Sequence, residues 1–273
     1  MIDEICIVQL SDTHVCMPNC LIKNNFDSNY ALERAVELLN AEDYRVDCVL
    51  ITGDLVQGGL EGEYIHLKQI LNRLKQDIPV LFCLGNHDDI DVFSKVFSDC
   101  FTQLLSKSSI ASATYPDKGA GLTYCIDFQI SKLIVLDSSV EGAAWGKISR
   151  RGLDWLEKIL SSSDTDANIL ALHHPPVSSS SQVMDNISLQ NPAELEELVL
   201  YYNNIQLIVC GHVHRSIFTS FARTRIAFCP SVVFQYPVFM AKGKNVPTGE
   251  QPGFHVHKFN KKFGWSTHLR LIT

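Results

Sequence analysis

The chain has 273 residues, 46% of them hydrophobic, and 30 acidic against 23 basic side chains give a formal net charge of −7. That length and apolar content suffice for a substantial core in one layered α/β domain. The acidic balance excludes a general nucleic-acid-polymer or anionic-membrane binder, which needs a basic face. It leaves room for a small anionic substrate held by bound cations.

The first ten residues, MIDEICIVQL, carry two acids and no basic leader. No later stretch approaches the roughly 18 consecutive apolar residues of a membrane span. The expectation is a cytoplasmic protein with no membrane partner. Of nine cysteines, Cys6, Cys48, Cys83, Cys125 and Cys210 lie inside apolar runs and read as reduced small hydrophobes. Cys16 and Cys20 form a close pair without a second pair at zinc-ribbon spacing, and read as loop residues beside a site.

The first apolar run, residues 5–10, has the length and β-branching of a buried strand and ends in Ser11-Asp12-Thr13-His14. A D-x-H tripeptide sends a carboxylate and an imidazole to the same side. Ala31, Ala35, Leu38 and Leu39 then share a helical face. The second strand, 48–51, ends in Gly53-Asp54, and a carboxylate can bridge two cations with its two oxygens. A second helical stripe holds Leu67, Ile70, Leu71 and Leu74. The third strand, 80–84, ends in Gly85-Asn86-His87-Asp88, an amide ligand followed by an acid/base candidate, with a helix from Asp89 onward.

The fourth strand, 133–136, precedes a helix with Leu153, Leu156, Ile159 and Leu160 on one face and Ser149 as N-cap. The strand at 169–172 runs into His173-His174-Pro175-Pro176. The serine run 178–181 reads as a mobile surface loop. The strand at 207–210 runs into Gly211-His212-Val213-His214, an H-x-H chelate. Beyond it, 217–221, 225–228, 253–259 and 265–271 read as antiparallel strands, whose exposed edges would support a homodimer. Alternating strands and helices followed by a strand-rich tail predict an α/β sandwich of two stacked sheets flanked by helices.

Taken singly, D-x-H and G-D are commonplace turns, while G-N-H-D, H-H-P-P and G-H-x-H are more specific. Together, five strand ends present two carboxylates, one amide and four imidazoles, and ligands of open α/β sheets gather at strand carboxyl ends. The mixture suits Fe, Mn, Zn or Co better than Ca or Mg. His66, His255, His257 and His268 read as core or solvated positions. Glu61, Glu63, Glu194, Glu196 and Glu197 read as solvated helix faces.

The order D-x-H, G-D, G-N-H-D, H-H-P-P, G-H-x-H, spanning Asp12 to His214, resembles the calcineurin-like metallophosphoesterase superfamily. The resemblance implies a four-layer αββα sandwich of two mixed β-sheets flanked by helices. It also implies two divalent or mixed-valence metal ions. The first would be held by Asp12, His14, Asp54 and His214, the second by Asp54, Asn86, His173 and His212, with Asp54 as the bridge. His87 would act on the leaving oxygen with Asp88 orienting it, while His174 would face the substrate or support the ligands. A hydroxide bridging the metals would attack phosphorus. Asp137-Ser138-Ser139, the Trp155 helix, Cys229-Pro230-Ser231 and Pro252-Gly253-Phe254 look like the class III cyclic-nucleotide phosphodiesterase branch. The implied substrate is a small phosphodiester: 3′,5′-cyclic AMP first, with glycerophosphodiesters or broad phosphoester hydrolysis as the alternative, ahead of a non-catalytic scaffold or a nuclease. Residues 1–273 read as a single domain. In it 230–252 form a substrate-covering loop, with Lys242 and Lys244 as phosphate-facing candidates.

Overall fold

The computed structural model describes residues 3–75, 78–98, 110–116, 119–238 and 246–273. In the first sheet, β1 (Glu4–Leu10), β2 (Cys48–Thr52) and β3 (Val80–Cys83) pair in parallel. Two antiparallel strands, β11 (Gly253–Asn260) and β12 (Gly264–Leu271), extend it beyond β1. The second sheet takes its chain-order members as β4 (Ser112–Thr114), β5 (Tyr124–Asp127), β6 (Lys132–Val135), β7 (Asn168–Ala171), β8 (Ile205–Cys210), β9 (Ile217–Phe221) and β10 (Thr224–Phe228). They lie in the order β4-β5-β6-β7-β8-β10-β9.

The apolar runs are continuous because each central strand is buried on both faces. Along β1, Ile5 and Ile7 point between the sheets, whereas Cys6, Val8 and Leu10 point to the outer helices. β8 does the same in the other sheet, with Leu207 and Val209 inward and Ile208 and Cys210 outward. Helices α1 (Ser28–Ala41), α2 (Glu61–Leu71) and α3 (Ile90–Val96) cover the first sheet, and α4 (Arg150–Ser161) and α6 (Pro192–Tyr202) the second. A single turn, α5 (Gln182–Asp185), stands before α6. Ser149 caps α4 by accepting from the Gly152 N–H, and Asp89 caps α3. The result is the four-layer αββα sandwich.

Strands β4 and β5 were not visible in the sequence pattern. Ser-Ala-Thr offers no apolar run, and Tyr124-Cys-Ile-Asp is only four residues long. Tyr124 nonetheless crosses between the sheets, its hydroxyl accepting from the Phe82 N–H at 2.9 Å and donating to the Phe82 carbonyl at 2.7 Å. This satisfies backbone groups on edge strand β3. The tail departs from an all-antiparallel arrangement: β10 lies parallel to β8, while β9 and β12 are the outer strands. The serine run is no free loop either. Ser179 and Ser181 are buried, and the Asp185 carboxylate accepts from the Ser179 N–H and the Ser178 and Ser179 hydroxyls. No helix among the described residues is long and apolar enough to cross a membrane.

Between the sheets the apolar layer is interrupted by His255 and His257 of β11, both fully buried. His255 stacks on Phe218 and shares a 2.9 Å hydrogen bond with the Ser216 hydroxyl, and burial pushes its imidazole down to about 4. An imidazole depressed on folding contributes stability above its unfolded value of about 6.5, and that stability is lost as pH falls toward 4. At pH 5 the loss from this one group is about 2 kcal/mol. The melting temperature is therefore expected to drop on the order of 5 °C between pH 7 and pH 5 on its account. His255→Gln should flatten that limb in a pH series of thermal melts.

Candidate metal centre

Every strand that ends in a ligand-type residue delivers it at the same rim of the sandwich. The turns that do so are strained. Asp12, His14, Asp54, His212 and His214 all adopt positive φ, between 43° and 72°, a region non-glycine residues rarely enter. Continued pairing of the two loops holds them there: the N–H groups of Asp12 and His14 donate to the carbonyls of Gly53 and Asp54 at 3.1 and 2.9 Å.

Two clusters of donor atoms result. In one, His14 Nε2 and His214 Nε2 lie 3.1 Å apart and Asp12 Oδ1 sits 3.4 Å from His214 Nε2. In the other, His173 Nε2 lies 3.2 Å from His212 Nδ1 and 3.3 Å from Asn86 Oδ1. Asp54 stands between them. Its Oδ1 accepts the His87 backbone N–H at 2.9 Å and lies 3.4 Å from His173 Nε2, while its Oδ2 lies 3.8 Å from His14 Nε2. All seven predicted ligand-type side chains are thus brought together, and all but Asn86 are buried.

The donor set fits cations on its own chemistry. A carbonyl only accepts, so His173 Nδ1 must donate to Thr52 O (2.8 Å) and His214 Nδ1 to Phe234 O (3.2 Å). That fixes Nδ1 as the donor in both rings and leaves Nε2 as the nitrogen aimed at the centre, the outer arrangement typical of metal-ligating imidazoles. The charges agree. Burial pushes His14 down to about 4 and His212 to about 3, and holds His214 well below the ordinary value. Burial also pushes the Asp12 carboxyl up to about 7. Desolvation alone would depress His173, but Asp54 outweighs it and pushes the imidazole up to about 9. Desolvation would raise Asp54, yet His173 holds it well below the carboxylate range.

Glycines make the close approach possible. A Cβ on Gly85 would meet both the Asp54 backbone nitrogen and its Oδ1 at 2.3 Å, and His173 Nε2 at 2.9 Å. Backbone atoms cannot yield as a flexible side-chain tip can. Gly85→Ala is therefore expected to leave a folded protein with metal affinity weakened on the order of 100-fold, measured by competition with a chromogenic chelator.

His87 lies partly exposed beside this floor, its Nδ1 donating to the Gln57 carbonyl at 2.7 Å, which leaves Nε2 as the ring nitrogen free of that contact. Asp88 does not orient it. The Asp88 carboxylate instead accepts from the N–H groups of Gly85 (2.8 Å) and Leu55 (3.1 Å) and from the Tyr64 hydroxyl (3.1 Å). The residue after His87 turns its side chain under the two loops and ties them together, so Gln57 takes the orienting role. Burial pushes the Asp88 carboxyl up to about 7. His174 is fully buried, with Nδ1 2.9 Å from the Ser138 hydroxyl and its ring against His173 and His212. It does not line the cavity, so a substrate-facing His174 has no support here, while its Nε2, buried without a hydrogen-bond partner, stands in one donor group with His173 and His212. Ser138 itself carried no sequence signal beyond its place in the Asp137-Ser138-Ser139 triplet.

A cavity of about 560 Å³ opens over the floor formed by His14, Asp54, Asn86, His87, His212 and His214. Its lining includes the apolar side chains of Met17, Leu21, Leu60, Met184 and Ile187 and the rings of Phe234 and Tyr236. Cys16 and Cys20 also line it. Glu63, expected on a solvated helix face, is buried in the wall and accepts from the N–H groups of Gly58 and Leu60 at 2.8 and 3.2 Å. Its position three residues into a helix start was the available signal. Lys242 and Lys244 lie outside the described residues. On either side of them, Gln235 and Thr248 pair in an antiparallel bridge and Glu250 forms a 2.9 Å ion pair with Arg215.

Comparison with known proteins agrees with this geometry. The family model described as calcineurin-like phosphoesterase matches residues 6–216. The glycerophosphodiester phosphodiesterase GpdQ of Enterobacter lignolyticus is 31% identical over 231 residues, 85% of this chain and 78% of that one. The 3′,5′-cyclic adenosine monophosphate phosphodiesterase CpdA of Pseudomonas aeruginosa is 27% identical over 235 residues, again 85% and 78%. A dimetal phosphatase structure from Danio rerio superposes with a TM-score of 0.66 at 13% identity, covering 98% of this chain and 99% of that one, a likeness of fold.

Proposed function

The chain belongs to the calcineurin-like phosphoesterase family and is a metal-dependent phosphodiester hydrolase; from that premise we propose that it cleaves small diesters, 3′,5′-cyclic AMP first, at a two-metal centre. The observation that carries the reading is the pair of donor clusters sharing Asp54, one oxygen toward each. Asp12, His14, Asp54 and His214 would hold one ion, and Asp54, Asn86, His173 and His212 the other. The donors favour Fe, Mn, Zn or Co. When bound, two cations supply the positive charge and the activated water of a two-metal hydrolysis.

The chain's own residues do the rest. Asp54 fixes the spacing of the two halves. Carbonyls of Thr52 and Phe234 hold the imidazole ligands in register. His87, oriented by Gln57, offers Nε2 to the leaving oxygen and carries the proton that oxygen needs. No side-chain nucleophile is required, so no covalent phosphoenzyme forms.

The choice of cyclic AMP follows from the walls. Thioether, aliphatic and aromatic side chains, Phe234 and Tyr236 among them, suit a nucleobase better than a glycerol headgroup. Of the segment 230–252 expected to cover the site, Phe234 and Tyr236 line the cavity, and residues 239–245 lie outside the described residues. The second reading, a glycerophosphodiesterase, is favoured by the 31% identical relative of that name. Hydrolysis of cyclic AMP and glycerophosphoethanolamine by Mn²⁺-reconstituted protein, in parallel and with a chelated control, decides. A chelator-sensitive preference for cyclic AMP supports the first reading, and a preference for the glycerol diester supports the second. Activity on neither by protein that binds two metals refutes both substrate assignments. The outer strands β9 and β12 are the surfaces through which a homodimer would form, a point for sedimentation analysis.

A further inference from the structure

Gln9 is an uncharged polar residue on the inner face of β1, fully buried in an otherwise apolar layer. Its amide lies at the middle of a continuous series of hydrogen bonds that crosses the sandwich. On one side Oε1 is 2.9 Å from His257 Nε2, and His257 Nδ1 is 2.9 Å from the Thr267 hydroxyl on β12. On the other, Nε2 donates to Thr52 Oγ1 at 2.8 Å, Thr52 Oγ1 lies 2.9 Å from Ser11 Oγ, and Ser11 Oγ lies 2.6 Å from Asp12 Oδ2.

The Gln9 amide sets the direction of this series. Gln9 Nε2 also donates to the Cys210 carbonyl at 3.1 Å, and a carbonyl only accepts, so the amide cannot be flipped. Oε1 therefore faces His257 Nε2, which must carry the ring's hydrogen. Burial holds His257 well below the ordinary imidazole value, so the ring is neutral and has one hydrogen to place. Its Nδ1 is then bare and takes the Thr267 hydroxyl proton. At the other end Ser11 Oγ donates to Asp12 Oδ2 and accepts from Thr52 Oγ1, with the carbonyls of Thr52 and Leu10 as longer second acceptors at 3.2 and 3.3 Å. All donors point the same way, toward Asp12, and such aligned bonds reinforce one another.

At that terminus the carboxylate is divided. The Ser11 hydroxyl engages Oδ2, the His212 N–H lies 3.1 Å from both oxygens, and Oδ1 is left facing His214 Nε2. We propose that Gln9 and His257 are positioning residues of the metal centre, acting through Thr52 and Ser11 to hold Asp12 with Oδ1 turned to the cation position it shares with His14 and His214. The inference rests on the two-metal reading above. A purely structural role is the competing account. Two buried polar residues with satisfied partners would then contribute only to stability, and breaking the series would not distinguish one cation position from the other.

The test is a Co²⁺ titration of metal-free protein, read by visible absorption and calorimetry, for the parent, Gln9→Met and Thr267→Val. Gln9→Met keeps the side-chain length and removes both donors. Thr267→Val is a near-isosteric change on an edge strand, several links from the metal centre, and keeps the test decisive if the Gln9 variant does not fold. In Thr267→Val the His257 Nδ1 loses its donor and the series loses its first link, while Gln9 Oε1 still holds the ring hydrogen on Nε2. The expected result is a selective weakening of one of two Co²⁺ sites, about tenfold for Gln9→Met and smaller for Thr267→Val, with the other site within about twofold of the parent. Unchanged affinities at both sites, or equal loss at both, overturn the proposal. A parent that binds fewer than two Co²⁺ ions overturns the two-metal reading itself.

Discussion

Asp54→Ala is expected to lower kcat/KM by at least about 10³-fold and to leave the purified protein short of both ions under conditions that saturate the parent. The magnitude follows from position. Each of the other six ligand-type side chains serves one cluster, and its loss leaves three partners in place. Asp54 serves both, with Oδ1 toward His173 and Oδ2 toward His14. It also accepts the His87 backbone N–H, so its removal frees the loop that carries Asn86 and His87. The substitution removes the anion that holds the His173 imidazole up near 9, leaving buried histidines with no compensating charge. Asp54→Asn separates these effects, since it keeps the shape and the contact to His87 but loses the charge. It should bind metal less poorly than the alanine variant and remain strongly impaired. Metal content by atomic emission and rates on a diester substrate read both quantities. A soluble, metal-replete Asp54→Ala protein with parental activity would falsify the bridging assignment.

The legible part of this protein is the part whose chemistry demands scarce residue types at fixed places. Asp12, His14, Asn86 and the His212–His214 pair could be found because each follows an apolar run, and strands buried on both faces have almost no polar interior to confuse the pattern. The αββα layering followed from the same runs. What stayed hidden depends on contacts between distant segments. The group that orients His87 is a backbone carbonyl, Gln57 O, which every residue possesses and no sequence advertises. Asp88 looked like the orienting acid by adjacency, but the turn after Asn86 points its carboxylate at the N–H groups of Leu55 and Gly85. Glu63 sits on an otherwise solvated helix, and only the return of the 57–60 loop buries it. Gln9 lies mid-strand in an apolar run, where its partners come from β2, β8 and β11. The backbone strain at five ligand-type residues was equally invisible, since positive φ is normally a signal carried by glycine or asparagine.

Replacing His87 should produce a loss of a different kind. His87→Asn is expected to retain both metal ions, because His87 Nδ1 is committed to Gln57 and each cation keeps its four assigned ligands, although the ring stands in one donor group with His14 and Asp54. Its kcat should fall about 10² to 10⁴-fold, the usual range for a positioned acid or base. KM should change little if His87 acts mainly in the transition state. The leaving group then provides the sharper diagnosis. A ribose or glycerol alkoxide is a poor leaving group and needs a proton as the P–O bond breaks, whereas a p-nitrophenolate departs without one. The His87→Asn penalty should therefore be large on cyclic AMP or a glycerol diester and shrink to about tenfold or less on bis(p-nitrophenyl) phosphate. The contact to His87 comes from the Gln57 backbone carbonyl, so Gln57→Ala should keep the His87 orientation, which separates that contact from the Gln57 side chain's own hydrogen bond to His14. Equal penalties on both classes of substrate would assign His87 to charge stabilisation of the phosphoryl oxygens instead of proton donation. Loss of metal along with activity would place it among the ligands.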